Sequence, residues 1–410
     1  MIAKGPVMTA LKRLFSEGFR VFFLLAGLWT TVAMLVWGLW LAVHGLGGMM
    51  DLPADLPPQW WHGHEMIFGF GTAAAAGFLL TAVPNWTGAP AAGPRFLIAA
   101  AALWLAGRLG LWLWGTLPAP LAAMLALSFL PFLAGRIWLM LRRAPKPANL
   151  MVLTLIGLIW SADLRVMLDA LGWAGGDAIA GLHGALATLI ALIVIVGGRI
   201  TPAFTRNALA RRAMMAGAAP DLGKAGLSVS LAVADKIAIG AAIASALAIT
   251  LGLPAAVIGG TELTLGAAQL IRISRWQGWA VRGEPILAVL HGAMALVGVG
   301  ALLQGLAAFG IGSQIGAMHF SAVGGIGTMV MAVMSRATLG HTGRSLVAPF
   351  PVALAYVLLP VAALIRWAAA VGPLALYYPG TILAATLWAL AFVLFLIALA
   401  PALLGPRANS

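Results

Sequence analysis

Two histidines and a glutamate stand together at the beginning of a long apolar run. His62, His64 and Glu65 lie within 60–70, and a second patterned stretch follows at 84–88. Imidazole is the commonest metal ligand that proteins offer, and ionisable side chains at membrane depth are costly and usually functional. The pattern therefore predicts a metal or haem centre inside a membrane protein.

Helical spacing determines which of these side chains can act together. His62 and His64 are two residues apart, which separates them by about 200° around a helix. They reach one ligand only if the helix begins between them. His62, Glu65 and Met66 are spaced by three and four residues and share a face, so they offer nitrogen, oxygen and thioether sulfur to a metal. Alternatively, Glu65 orients an imidazole ligand, or the segment is an interfacial helix start beside Trp60 and Trp61.

Five more histidines extend this hypothesis: His44, His183, His291, His319 and His341. We expect His319 to bind haem opposite His62 or His64, and His291 and His341 to form a second metal centre. His183 is a further candidate for the haem site, although His183 and His319 can equally be hydrogen-bond partners between helices. The chain has no cysteine, which excludes thiolate-ligated or covalently attached haem and Cys-ligated iron–sulfur clusters.

Three arginines near the ends of predicted spans suit the propionates of a haem. Arg199, Arg336 and Arg344 can each form bidentate hydrogen bonds with a carboxylate. An equally good interpretation is that they anchor the cytoplasmic ends of helices, with Pro202 stopping the sixth span.

The elements that must position these residues are membrane helices. Hydrophobic residues make up 62% of the 410 residues and charged residues 9%, and about 20 apolar residues cross a bilayer as a helix. The sequence predicts an all-α polytopic bundle that forms a single integral membrane domain over 1–410, with its longest cytoplasmic loop at 201–226. The twelve predicted spans are 19–45, 62–84, 95–117, 119–141, 149–170, 178–200, 227–252, 254–273, 286–309, 313–335, 348–370 and 378–402.

The net charge of +13 follows from topology and does not indicate nucleic-acid binding. Lys and Arg gather in alternate connections, whereas 46–60, 171–177, 252–254, 310–312 and 371–378 contain neither. The positive-inside rule therefore predicts that both termini are cytoplasmic. The first apolar run, about 27 residues long, is too long for a signal peptide.

Several charges fall inside the predicted spans. Asp163 and Arg165 share the fifth, Asp235 and Lys236 share the seventh, and Arg108 and Glu262 are further candidates for pairing. Such charges mark ion or proton paths when they face the bundle interior. They support an alternative function, a proton-coupled transporter without a cofactor.

Long motifs in this chain resemble those of the NnrS family. They cover 61–70, 77–88, 197–207, 325–329 and 334–344. The resemblance implies a twelve-helix bacterial inner-membrane protein that contains haem and copper and responds to nitric oxide during denitrification. The matching candidate ligands are His62, His64, Glu65, His183, His291, His319 and His341.

The leading hypothesis is thus a membrane protein with non-covalent b-type haem and copper that binds nitric oxide or iron–nitrosyl species and protects against nitrosative stress. A redox enzyme of the nitric oxide reductase type, fed by quinol, is a second hypothesis. Homology to that class is disfavoured because the chain has no adjacent His-His pair and its only His-x-His opens the second span.

Overall fold

The protein is an all-helical chain. The computed structural model describes residues 6–215, 217 and 232–408, and 82% of it is helical. The described residues contain no strand beyond an isolated bridge between Trp114 and Leu117. In chain order the helices are α1 (Pro6–Leu14), α2 (Gly18–Gly45), α3 (Pro58–Thr87), α4 (Pro94–Trp112), α5 (Ala119–Leu141), α6 (Pro147–Ala170), α7 (Ala178–Met215), α8 (Ala232–Thr250), α9 (Ala255–Ser274), α10 (Pro285–Ala308), α11 (Gln314–His341), α12 (Phe350–Val371) and α13 (Leu374–Leu404).

Eleven helices in the described part of the chain are long and apolar enough to cross a membrane. They are α2 to α8 and α10 to α13, so the prediction of a multi-pass helical membrane protein is confirmed. The remaining predicted span, 254–273, forms as the helix α9 but does not reach the same hydropathy. It carries Glu262, Gln269 and Arg272 on its buried face, which makes it more polar than the other helices.

Two predicted helix ends are wrong. The helix α7 does not stop at Pro202 but continues to Met215, so 201–215 is helical and only the later part of the predicted loop 201–226 lies outside the described residues. Membrane helices tolerate proline when neighbouring groups satisfy the freed backbone. Near this point the Arg272 guanidinium packs against Gly198, whose carbonyl is the one that Pro202 leaves without its helical N–H donor. Similarly, α11 extends to His341, which was expected in a loop.

The chain divides into two compact units. Unit 1 comprises 1–185, 334–346 and 392–410, and unit 2 comprises 186–333 and 347–391. In each unit, glycines allow helices to approach closely, as is usual in membranes. A Cβ on Gly77 of unit 1 would lie 2.7 Å from the ring of Phe23, and one on Gly266 of unit 2 would lie 2.7 Å from the carbonyl of Gly298.

Two helices change their pitch directly after a histidine. After His64, α3 becomes a π-helix over Glu65–Gly71, and after His319, α11 becomes a π-helix over Phe320–Gly327. Short π segments are rare and occur frequently at functional sites. The backbone thus singles out two of the histidines that are candidate ligands, His64 and His319.

The close packing at Gly77 can be tested by adding one methyl group. We expect Gly77→Ala to lower the free energy of unfolding by about 1–3 kcal/mol, the usual cost of overpacking, because Phe23 is fully buried and cannot move away. The matched control is Gly135→Ala in α5, where nothing lies within 4 Å of the added methyl. Thermal unfolding of both variants in detergent provides the measurement, and equal stability would contradict the packing account.

The predicted orientation of the spans can be tested with single cysteines, since the natural chain contains none. We expect a cysteine at Asp55, which follows α2, to react with an impermeant maleimide added outside intact cells. A cysteine at Arg143, which follows α5, should react only after the membrane is opened. The reverse labelling pattern would overturn the assignment of cytoplasmic termini.

Candidate functional site

His64 lies at the centre of a buried network of charged side chains in unit 1. It is 1% exposed, and both of its ring nitrogens have partners. Nε2 lies 2.9 Å from a carboxylate oxygen of Asp163 on α6, and Nδ1 lies 3.2 Å from Nη1 of Arg108 on α4. The second histidine of the motif therefore joins three helices.

These partners fix the tautomer of His64. A guanidinium can only donate, so Nδ1 of His64 must accept the hydrogen bond from Arg108. The carboxylate of Asp163 accepts, so Nε2 carries the proton. In this arrangement both ring nitrogens are engaged by side chains. Arg108 thus gives His64 a hydrogen-bonding role between helices, and its predicted role as a ligand stays a prediction.

Glu65 binds the same nitrogen of Arg108 as His64 does. Arg108 Nη1 donates to Glu65 Oε2 at 3.0 Å, and the indole N–H of Trp29 donates to the same oxygen. Glu65 is 0% exposed. A Cβ on Gly69 would lie 2.7 Å from Trp29 and 2.9 Å from Glu65 Oε2, so the glycine of the motif leaves the space in which this hydrogen bond forms.

Indole rings surround the network and exclude water from it. Trp29 contacts Trp104 and Trp112 with ring centroids 5.6 Å apart in each case, and Trp112 contacts Trp61 at 5.5 Å. Trp104 also donates to the carbonyl of Gly69 at 3.0 Å. Electrostatic interactions strengthen in such a low-dielectric environment, and an unpaired charge becomes very costly there. With one arginine and two carboxylates, the network depends on every bond that Arg108 makes.

The predicted ligand set of His62, Glu65 and Met66 does not form. Glu65 binds Arg108 and Trp29, while the Met66 sulfur accepts from the hydroxyl of Thr30 at 3.8 Å. His62 stacks on Trp37, with centroids 4.4 Å apart and the rings 9° from parallel. Sharing a helical face was not sufficient to bring the three together, because each meets a different partner on α2 or α4.

The stacking of His62 continues along α2 to the predicted outer end of the helix. Trp37 stacks on Trp40 at 4.9 Å, and Trp40 stacks on His44 at 4.0 Å. Nδ1 of His44 lies 2.9 Å from the carbonyl of Trp40. Beyond His44 is a cavity of about 410 Å³ that the acidic side chains Asp51 and Asp55 also line. Three further aromatic rings, those of Trp37, Trp40 and His44, thus connect His62 with this cavity.

His319 has the hydrogen bond that prepares an imidazole for metal binding. Its Nδ1 lies 2.8 Å from the carbonyl of Ile315, one turn earlier on α11. Because a carbonyl only accepts, Nδ1 donates this hydrogen bond, and Nε2 would be the nitrogen that binds a metal. Metal-binding histidines commonly show this arrangement. His319 therefore differs from His64 in the property that matters for ligation.

The remaining histidines are distributed over both units. In unit 2, Nε2 of His291 is 2.8 Å from the hydroxyl of Thr205, and its ring meets Trp276 edge-on. In unit 1, His341 packs on Phe19 with ring centroids 5.4 Å apart, and His183 is half-buried on α7. Among the residues that the structure describes, no group of three or more His, Asp or Glu side chains is arranged to hold a metal ion.

The three predicted propionate partners differ in exposure. Arg199 is exposed on α7, Arg336 is buried on α11, and Arg344 is half-buried after α11. The guanidinium of Arg344 lies 3.4 Å from the carbonyls of Thr342 and Pro406. Their role towards a haem stays a prediction.

The buried charges form partnerships that their position in the sequence did not indicate. Asp163 pairs with His64, and its helix neighbour Arg165 pairs with Asp177 instead. Asp235 pairs with Arg272 of α9 at 2.8 Å, not with Lys236. Sequence reasoning also missed Trp29 and Trp37, although their spacing on α2 places several tryptophans near one face of the helix.

Comparison with known proteins agrees with the motifs. The model of the NnrS protein family matches residues 13–407, nearly the whole chain. No curated protein matches it significantly.

The dependence of the network on Arg108 can be tested by removing its charge. We expect Arg108→Ala to cost about 3–5 kcal/mol of unfolding free energy, because it leaves two buried carboxylates without a cation. The matched control is Arg165→Ala, whose pair with Asp177 is 30% and 48% exposed and should contribute about 0–1 kcal/mol. The free energy of unfolding of both variants is measured in the same detergent. Equal stability of the two would contradict the dependence of the network on Arg108.

Proposed function

Since this chain belongs to the NnrS family, we propose that it is a haem-binding protein of the bacterial inner membrane that binds nitric oxide or iron–nitrosyl species and protects the cell against nitrosative stress. Membership of this family suggests a membrane protein of the nitric oxide response. Haem and its site are the more specific part of the proposal and depend on the imidazoles described above.

The observation that carries the proposal is the state of His319. Its Nδ1–H donates to the carbonyl of Ile315, a bond that orients metal-binding imidazoles, and the residue directly precedes the π-helical segment Phe320–Gly327, which overlaps the motif at 325–329. Haem iron, when bound, supplies the metal to which nitric oxide coordinates. Non-covalent haem also fits a chain without cysteine. His319 is therefore the proposed axial ligand.

Copper has weaker support from the described residues. They provide no cluster of three ligands, and the predicted combination of His62, Glu65 and Met66 is divided among separate partners. We therefore derive no step that involves copper. Its presence remains a prediction from the family resemblance, and the supply of electrons by quinol remains a separate prediction.

The chain's own residues give unit 1 a supporting role. Arg108 and Asp163 hold the His64 ring in one orientation, and the surrounding indoles keep water away from Glu65. This arrangement fixes α3, α4 and α6 relative to one another at the motif. Within the proposed function, the motif's second histidine positions the helices and leaves coordination to other imidazoles.

Absorption spectroscopy of the purified protein tests this proposal. We expect a Soret band and a spectral change on adding nitric oxide, and we expect His319→Ala to lower the haem content at least several-fold. The matched control is His44→Ala, since His44 makes the same type of Nδ1 hydrogen bond to a carbonyl four residues earlier but lies outside the family motifs.

Each result has a defined consequence. Absence of haem from folded wild type would overturn the proposal and favour a transporter without cofactor. Unchanged haem content in His319→Ala would leave a haem protein but refute this ligand. Loss of haem in both variants would also contradict the specific assignment of His319.

A further inference from the structure

Unit 2 contains a buried carboxyl group that the proposed function does not use. Glu262 lies on α9 and is 3% exposed. Its Oε1 accepts a hydrogen bond from the hydroxyl of Ser245 on α8, and its Oε2 has no hydrogen-bond partner within the described residues. A carboxyl group in such a position requires an explanation, because polar groups in membrane interiors are expensive.

Among the described residues, no cation lies near enough to Glu262 to balance a negative charge. The helices α8 and α10 pack against α9, and α7 contacts it at Arg272. The charged residues of α8 are Asp235 and Lys236, nine or more residues from Ser245, which is roughly 14 Å along a helix. On α10 the only titratable residue is His291, which is bonded to Thr205. On α9 itself, Arg272 is ten residues from Glu262 and paired with Asp235.

The helices α8 and α9 are antiparallel and make two separate polar contacts. Asp235 of α8 contacts Arg272 of α9. Ten residues along each helix, Ser245 of α8 contacts Glu262 of α9. Between them, Gln269 binds Arg272 and the carbonyl of Met294. Alanines and glycines fill the rest of the contact, such as Gly266, whose added Cβ would meet Leu302 at 2.6 Å. Arg272 thus binds Asp235, Gln269 and the carbonyl of Val194, and it does not neutralise Glu262, which lies ten residues away.

We propose that Glu262 is a proton-binding site, at which the side chain binds a proton from water on one carboxylate oxygen and releases it again. A neutral carboxylic acid is far less costly to bury than an unpaired carboxylate. In this state one oxygen accepts from Ser245 while the other carries the proton. Release breaks the same O–H bond and leaves the carboxylate held by Ser245.

The chemistry of the site favours a proton over a metal cation. Hard cations such as Ca²⁺ and Mg²⁺ take about six or more oxygen ligands, whereas only Glu262 and Ser245 bring side-chain oxygens together here. A proton needs a single oxygen. The site does not depend on haem, so its test can fail or succeed independently of the proposed function.

Infrared difference spectroscopy of the whole purified protein provides the test. At neutral pH we expect the carbonyl stretching band of a protonated carboxylic acid in wild type and its loss in Glu262→Gln, which preserves the size of the side chain. Ser245→Ala should shift the band to higher frequency, because the carbonyl loses its hydrogen bond. The control is Glu284→Gln, whose side chain is 32% exposed and paired with Arg212, and this variant should leave the band unchanged.

Two further measurements show whether the proton exchanges with solvent and whether a metal cation replaces it. Transfer to heavy water should move the band to lower frequency within the experiment, because a site that binds and releases protons must exchange with solvent. Adding sodium or magnesium chloride should leave it in place. A band that persists in Glu262→Gln, fails to exchange, or disappears with added cation would overturn the proposal. If Glu262→Gln does not fold, an unshifted band in Ser245→Ala contradicts it equally.

Discussion

The structure of unit 1 depends on one buried guanidinium group, that of Arg108, which binds a carboxylate and an imidazole away from water. Nη1 of Arg108 donates to both His64 and Glu65, and His64 transmits the interaction to Asp163. Breaking a buried pair leaves an uncompensated charge, whose cost exceeds that of most packing changes. Three helices are therefore fixed at the point where the pitch of α3 changes.

This constraint changes the interpretation of the opening motif. The motif looks like a set of metal ligands because histidine, glutamate and methionine recur at helical spacing. In the folded chain the same residues have separate partners on α2, α4 and α6, and Gly69 is required for space as much as Glu65 is for charge. The two histidines that precede π-helical segments differ in the atom opposite Nδ1, which is a guanidinium donor at His64 and a carbonyl acceptor at His319.

The sequence was sufficient to predict the membrane class, most helix ends and the family. Those features follow from apolar length and from long motifs. Partner choice was not predictable, because Asp163 selects His64 on another helix over its neighbour Arg165, and such contacts depend on how helices pack. The end of α7 was missed for a related reason: Pro202 is a stop signal in isolation, whereas the helix continues through it to Met215.

We infer that His64 is a positioning residue, whose Nδ1 accepts from Arg108 and whose Nε2 donates to Asp163. Nitrogen-15 magnetic resonance of protein labelled at histidine tests this directly, with the His64 signals identified by their absence from His64→Gln. The account predicts one protonated and one unprotonated nitrogen, with shifts that stay the same whether or not haem and copper are bound. Signals of an imidazolium, or shifts that change on metal loading, would contradict it.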